Sequence, residues 1–249
     1  MKIGFYDSGL GGLTVLKEAV GRIPNRHFVY YGDTKNVPYG EKSDDKVIGF
    51  AKQAARYLVD EGAECIVVAC NAASSAAGQA LRDSMDVPII CMEPAINLAA
   101  KNNQEHKRIL VFSTNLTLSL EKYKNLKSQL RYENIDELAT PKLVEFAESV
   151  KDNGEVEGYL QNCLTQYNLE EYSFVVLGCT HFTFFQDIIQ DMLPEGVKVI
   201  DGNTGTVNRL LTVAGEGKTA TRIDVHLTGG AAKQDFIKNY LGVSDIRFI

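Results

Sequence analysis

Short β-branched runs alternate with longer amphipathic segments along almost the whole chain, and few architectures accommodate that rhythm. Lys2-Ile3-Gly4-Phe5-Tyr6 reads as a strand, followed by a Gly-rich turn and a helix with Val15, Leu16, Ala19, Val20 and Ile23 on one stripe. The next strand is expected over about 27–31. After Tyr39-Gly40 the spacing predicts a helix that Ser43 could cap, with Val47, Ile48, Ala51, Ala55 and Leu58 inward and Gly62 ending it. Cys65 to Ala69, with Ile66-Val67-Val68 at its centre, should be a strand buried on both faces. Further strands are expected near 87–91, 108–112, 173–177, 197–200 and 224–227. The pattern predicts an α/β protein of doubly wound, mainly parallel sheets covered by helices, with functional loops at the carboxyl ends of the strands.

A weak internal echo sharpens this expectation. Glu64-Cys65-Ile66-Val67-Val68-Ala69-Cys70-Asn71 resembles Ser173-Phe174-Val175-Val176-Leu177-Gly178-Cys179-Thr180, each an apolar strand, a small residue, a cysteine and a small polar residue. Lys2-Ile3-Gly4-Phe5-Tyr6-Asp7-Ser8 resembles Arg108-Ile109-Leu110-Val111-Phe112-Ser113-Thr114 at a similar offset. Two half-size α/β domains with a pseudo-twofold relation follow, each presenting a strand-end cysteine and a strand-end polar pair to a shared cleft. The crossings are placed so that residues 1–94 and 206–249 form one domain, carrying Asp7 and Cys70. Residues 95–205 form the other, carrying Cys179 and His181.

Composition narrows the function classes. Hydrophobic residues make up 45% and charged residues 23% of the 249, ordinary globular usage. The net charge of −6 supplies no basic face for a phosphate backbone, which argues against nucleic acid as a partner. No apolar run approaches a membrane span and Asp7 interrupts the N-terminus, so a cytoplasmic protein with no membrane partner is expected. The five cysteines, Cys65, Cys70, Cys91, Cys163 and Cys179, form no Cys-x-x-Cys pair. No structural zinc or disulfide framework is expected, and any cysteine role should lie in reactivity.

Cys70 and Cys179 each follow a buried strand where a helix should begin. Backbone N–H groups and the helix dipole there would stabilise a thiolate and lower its pKa below ~8.5. Taken singly, either could be a small buried hydrophobe, and Cys65, Cys91 and Cys163 keep that reading. As a matched pair across a cleft they suit inversion at a carbon acid: one thiolate removes a proton from one face and the opposed thiol delivers one to the other. A reacting carbon about 3 to 3.5 Å from each sulfur would set them roughly 7 Å apart, too far for a disulfide.

Asp7-Ser8-Gly9-Leu10-Gly11-Gly12 opens the first helix. It departs from a dinucleotide fingerprint because Thr14 stands at the third glycine's place, although Asp33 lies at a suitable distance for a ribose-binding acid. Asp7 and Ser8 could simply cap the helix. Alternatively, Ser8 and the exposed amides hold a substrate carboxylate while Asp7 supports a thiol. His181, two residues after Cys179, could pack or share a proton with that thiol. Tyr39 and Gly40 read as turn residues, and Glu148, on an amphipathic segment, reads by default as solvated.

Together, Asp7-Ser8-Gly9-Leu10-Gly11-Gly12-Leu13-Thr14-Val15, Gly32-Asp33-Thr34 with Pro38-Tyr39-Gly40, Ala69-Cys70-Asn71-Ala72-Ala73-Ser74, Glu93-Pro94 and Leu177-Gly178-Cys179-Thr180-His181-Phe182 closely resemble the bacterial glutamate racemases of the aspartate/glutamate racemase superfamily. The resemblance runs in order along nearly the whole chain. It implies racemisation of glutamate without cofactor or metal, supplying the D-isomer for peptidoglycan, and a homodimer. Cys70 would be the base for D-glutamate and Cys179 the base for L-glutamate, supported by Asp7 and His181 respectively, with Glu148 assisting. Implied substrate contacts are Asp7, Ser8, Tyr39, Gly40, Asn71, Ala72, Thr114, Thr117, Thr180 and His181.

The chain departs from the family pattern at Ala72, where a threonine is usual and where Ser74 or Ser75 is the candidate to supply the missing hydroxyl. It also departs at Lys35-Asn36, in place of Ala-Arg, and at Ser113, in place of glycine. Alternatives are a racemase for aspartate or another amino acid, a non-catalytic regulatory protein on the same fold, and a dinucleotide enzyme.

Overall fold

The computed structural model describes residues 1–249 except 104, 105, 131, 216, 218 and 245, and the backbone alone of 232. In chain order the first half runs β1 (Lys2–Asp7), α1 (Leu13–Arg22), β2 (His27–Gly32), α2 (Asp44–Asp60), β3 (Cys65–Val68), α3 (Asn71–Ser84) and β4 (Ile89–Cys91). There follow α4 (Ile96–Asn102), β5 (Arg108–Ser113), α5 (Asn115–Ser119), α6 (Glu121–Gln129), β6 (Ile135–Ala139), α7 (Lys142–Ser149), α8 (Asn153–Leu164), β7 (Tyr172–Leu177), α9 (Gln186–Asp191) and β8 (Lys198–Asp201). The chain closes with α10 (Asn203–Ala214), β9 (Arg222–Leu227), α11 (Gln234–Leu241) and β10 (Ile246–Phe248).

The strands form two wholly parallel sheets, ordered β10-β9-β2-β1-β3-β4 and β6-β5-β7-β8. Within the first sheet, β2-β1-β3-β4 has the same order as β6-β5-β7-β8, so β1 corresponds to β5 and β3 to β7. The internal echo of the sequence is thus an echo of topology. Cys70 follows β3 and Cys179 follows β7, at the carboxyl ends of equivalent strands, where parallel sheets gather their functional loops.

Both faces of each sheet are buried. Side chains alternate along a strand, so Cys65, Val67 and Ala69 enter one core while Ile66, Val68 and Cys70 enter the other. In the second sheet Val175, Leu177 and Cys179 continue one face, packed with α7 and α8, and Phe174 and Val176 the opposite one. Each cysteine is therefore placed by the pleat of the strand before it. After β8 the chain returns to the first sheet, where α10 packs on α1, β3 and β4 and Asn203 Nδ2 donates to Thr14 Oγ1 at 3.0 Å. Among the described residues no helix is long and apolar enough to cross a membrane.

Some local expectations need correction. Ser43 occupies the N-cap position of α2, but its side chain makes no capping hydrogen bond. Ile48 is half-buried, while Ala54 takes an inward place. Cys179 is followed not by an α-helix but by a 3₁₀ turn, Thr180–Phe185, that leads into α9.

Candidate active site

Gly9 and Gly11 let the two halves approach each other. A Cβ at Gly9 would stand 1.9 Å from Glu148 Oε1, and one at Gly11 would stand 2.6 Å from the backbone nitrogen of His181. No side chain fits at either place, so the β1–α1 loop lies directly against the turn after Cys179 and against α7. Where the halves meet, a cavity of about 20 Å³ is lined by Ser8, Tyr39, Gly40, Cys70, Asn71, Ala72, Thr114, Thr117, Cys179 and His181, with Pro38, Val144 and Gly178 completing the wall. That volume holds about one water. The two cysteines thus open on one small enclosure, and all five cysteines of the chain are free thiols.

Three implied site residues lie behind this wall: Asp7, Thr180 and Glu148 are absent from it. The Thr180 hydroxyl donates to Asp7 Oδ2 at 3.0 Å, and Asp7 Oδ1 accepts the Gly9 N–H at 2.9 Å. The Leu10 N–H goes to Glu148 Oε1 at 2.7 Å. The expectation that the loop's exposed amides hold a substrate carboxylate therefore fails for Gly9 and Leu10, because protein carboxylates already occupy both N–H groups.

On the Cys70 side, the thiol caps α3, accepting the Ala73 N–H at 3.5 Å, and itself donates to Ser8 Oγ at 3.5 Å. The expected depression of its pKa does not occur. Burial, followed by the negative charge of Asp7, pushes it up to about 12, outweighing the Ala73 N–H and the Ser8 hydroxyl. Asp7 is fully buried, and burial raises its pKa too, against the lowering effect of His181 and its hydrogen bonds. Cys70 therefore rests as a thiol, with a carboxylate nearby whose basicity is enhanced.

On the Cys179 side, the sulfur faces His181 Nδ1 at 3.8 Å, and His181 Nε2 faces Glu148 Oε1 at 2.7 Å. Burial opposes charge on His181, but hydrogen bonds and charge from Cys179 and Glu148 hold its pKa well above the usual imidazole range. Burial likewise opposes charge on Glu148, yet His181 and Lys233 bring its pKa down to about 2. An imidazolium held between a sulfur and a carboxylate keeps a proton beside Cys179.

Behind Tyr39 a buried chain fixes the loop that carries Gly40: Tyr6 Oη donates to Tyr39 Oη at 2.8 Å, and Tyr39 Oη donates to Asp33 Oδ2 at 2.6 Å. Asp33 also accepts from Asn36 and Thr228. The acid that stood at a ribose-binding distance is thus consumed by its own loop and by Thr228 after β9, which removes the main support for a dinucleotide site. Ser74 donates to the Val68 carbonyl at 2.8 Å and accepts the Met92 N–H at 3.0 Å, while Ser75 opens on a different hollow. Neither replaces the hydroxyl missing at Ala72. Thr114 and Thr117 join hydroxyls at 3.1 Å in the wall, and Asn71 Oδ1 is buried there without a protein partner. Tyr6 and Lys233 escaped sequence reasoning. The first looked like an ordinary strand residue, and the second gave no local signal.

A pair of matched α/β units that set two thiols and a histidine around one enclosure defines a class of protein built for proton exchange at carbon. A family model described as Asp/Glu/Hydantoin racemase matches residues 14–210. The chain belongs to that family. It is 48% identical to a glutamate racemase of Campylobacter curvus over 219 residues, 85% of this chain and 82% of that protein. Among solved structures it resembles the Thermus thermophilus glutamate racemase in complex with β-chloro-D-alanine, at 31% identity and a TM-score of 0.81, covering 100% of this chain and 96% of that one. It also resembles the Escherichia coli glutamate racemase in complex with L-glutamate and the activator UDP-MurNAc-ala, at 26% identity and a TM-score of 0.85, covering 96% and 94%.

Proposed function

We propose that this chain interconverts L- and D-glutamate by two-thiol proton transfer, the D-isomer serving peptidoglycan synthesis. The observation that carries the reading is the placement of Cys70 and Cys179 at equivalent strand ends, facing one enclosure. Cys179, as a thiolate whose proton rests on the His181 imidazolium, removes the α-hydrogen of L-glutamate, and the Cys70 thiol delivers one to the other face. In the reverse direction Cys70 must lose its proton, and Asp7 supports that step. The raised pKa of Cys70 keeps it protonated at rest, so the proton that the L-to-D direction delivers is already in place. The substrate's ammonium group, once enclosed, lowers the cost of a Cys70 thiolate.

Asn71 Oδ1, buried and unpartnered in the wall, suits the ammonium group, and the hydroxyls of Thr114 and Thr117 suit a carboxylate. Ser8, Tyr39, Gly40, Ala72 and His181 complete the contacts, while Asp7, Thr180 and Glu148 act from behind the wall. With room for about one water, the enclosure admits glutamate only as its walls move apart, and closure then excludes water from the thiols. A division at 94/95 and 205/206 is compatible with this motion, since each part holds one complete sheet. A homodimer and a cytoplasmic location belong to the same reading.

Circular dichroism of L-glutamate incubated with the purified, EDTA-treated protein, without pyridoxal phosphate, tests the function. The signal should decay to zero, and decay from D-glutamate should reach the same end point. Activity that returns only with added metal or pyridoxal phosphate, or faster turnover of L-aspartate than of L-glutamate, would overturn it.

A further inference from the structure

Lys233 ends a 3₁₀ turn, Ala231–Lys233, after β9 and just before α11, 85 residues along the chain from Glu148. Its side chain is 19% exposed, and its ammonium group pairs with Glu148 Oε2, while Oε1 takes the Leu10 N–H and His181 Nε2. One buried carboxylate therefore serves two cations. Two of its three partners, Leu10 and Lys233, come from elements that belong with the first sheet, whereas Glu148 and His181 belong with the second. The same segment also steadies the turn that carries His181. Phe236 and Tyr240 of α11 meet Phe184 edge-on at 5.6 and 5.4 Å, and Lys17 of α1 lies 4.1 Å over the Tyr240 ring.

We infer that Lys233 is a positioning residue of the Cys179 half of the site, fixing the Glu148 carboxylate from the opposite half and setting the charge against which Cys179 and His181 exchange their proton. The inference rests on the two-thiol reading above. A buried Glu148 paired with His181 alone would lock the imidazolium in place, because loss of its proton would strand a buried negative charge. With Lys233 on the other oxygen, that charge stays paired whichever form His181 takes, so the imidazole can both accept and return a proton. Among the described residues, Asp7 also acts on His181, Tyr30 on Glu148 and Cys70 on Cys179, and all three are buried. On the packed helices, Lys142 lies over Phe146 and Tyr159, and Glu145, Asp187 and Asp191 are exposed.

The sign of the effect follows from charge. Removing a cation near the pair favours every protonated form, so the titration of Cys179 and His181 should move to higher pH. Lys233→Met removes the charge while keeping much of the bulk. Alkylation of Cys179, followed by mass spectrometry of its peptide across pH, should titrate about one unit higher in the variant than in the wild type. Turnover of L-glutamate at neutral pH should fall about tenfold through kcat rather than KM, with its pH profile displaced by the same amount. Lys233→Arg should restore the profile, and Lys233→Gln, which can donate without charge, should show the displacement should the Met variant fail to fold. An undisplaced Cys179 titration in a folded neutral variant would overturn the inference, whether rates are unchanged or uniformly low. A displaced titration in a protein that does not racemise glutamate would keep the role of Lys233 and sink the glutamate reading instead.

Discussion

Glu148 Oε1 stands 2.7 Å from His181 Nε2, so the histidine beside Cys179 is gripped at its far nitrogen while its near nitrogen faces the sulfur. Both residues are buried, at 9% and 1% exposure, which makes the contact strong and costly to leave half-made. The carboxylate fixes the ring's orientation and favours its charged form. The Cys70 side has no equivalent: Asp7 faces Thr180 and the β1–α1 loop, and Cys70 donates only to Ser8. The two thiols therefore differ in how each gives up its proton, although the strands that carry them match.

From that asymmetry, Glu148→Gln should weaken the reaction mainly where Cys179 acts as the base. Losing a charged hydrogen bond of about 1.5 to 3 kcal/mol corresponds to roughly a ten- to hundredfold fall in turnover of L-glutamate. The D-to-L direction is tied to it at equilibrium, so single-turnover exchange of solvent deuterium into each isomer is the appropriate measurement. Equal loss of exchange from both isomers would contradict the asymmetry.

Stability should carry the same signature. Burial alone would raise the pKa of Glu148, but His181 and Lys233 bring it down to about 2, below an unfolded value near 4.3. A group depressed on folding stabilises the protein above its unfolded pKa, and that stabilisation is lost as pH falls through the folded value. Between pH ~5 and ~2 the wild type should therefore lose on the order of 2 to 3 kcal/mol from this site. Asp7, raised by burial, contributes with the opposite sign. Urea unfolding of Glu148→Gln across that window should show a shallower acid slope than the wild type, and equal slopes would refute the assignment.

How far these features were legible in the sequence depends on whether they are local. Strands buried on both faces, such as β1, β3, β5 and β7, announce themselves as apolar runs, and the equivalence of Cys70 and Cys179 followed from comparing them. β6 and β10 went unseen because neither is a continuous apolar run: Asp136 and Glu137 interrupt Ile135–Ala139, and Arg247 interrupts the three residues of Ile246–Phe248. Glu148 is polar on an amphipathic helix and looks solvated until Gly9, Leu10 and Lys233 arrive from the other half. The rise in the Cys70 pKa was hidden for a similar reason. A helix start is visible in sequence, but the depth of burial and the nearness of Asp7 emerge only from packing.

Ala72 offers a gain-of-function test, since both serines that could have replaced its missing hydroxyl are otherwise placed. Ala72→Thr would return one neutral hydrogen bond to the substrate, worth about 0.5 to 1.5 kcal/mol, or a few-fold to tenfold in binding. The Michaelis constant for glutamate should fall accordingly, with kcat little changed. A constant that rises would mean the added methyl overfills the enclosure.

The assignment of the two faces is tested by separating the two proton transfers. Replacing Cys70 or Cys179 with Ser exchanges a thiol for a far weaker acid, whose conjugate base does not form near neutral pH, at nearly the same volume, so racemisation should vanish in both variants. Elimination of HCl from a β-chloro glutamate analogue requires only proton abstraction on one side. Cys70→Ser retains Cys179, His181 and Glu148 and should still eliminate from the L-isomer, because none of the contacts among those three involves Cys70. Cys179→Ser retains Cys70 with Asp7 and Ser8 and should eliminate from the D-isomer, more slowly, because its remaining thiol is held up near pKa 12 by burial and Asp7. Loss of both eliminations in both folded variants would refute the two-face arrangement. A reversed preference would exchange the roles of the cysteines, and with them the direction in which Glu148 and His181 act.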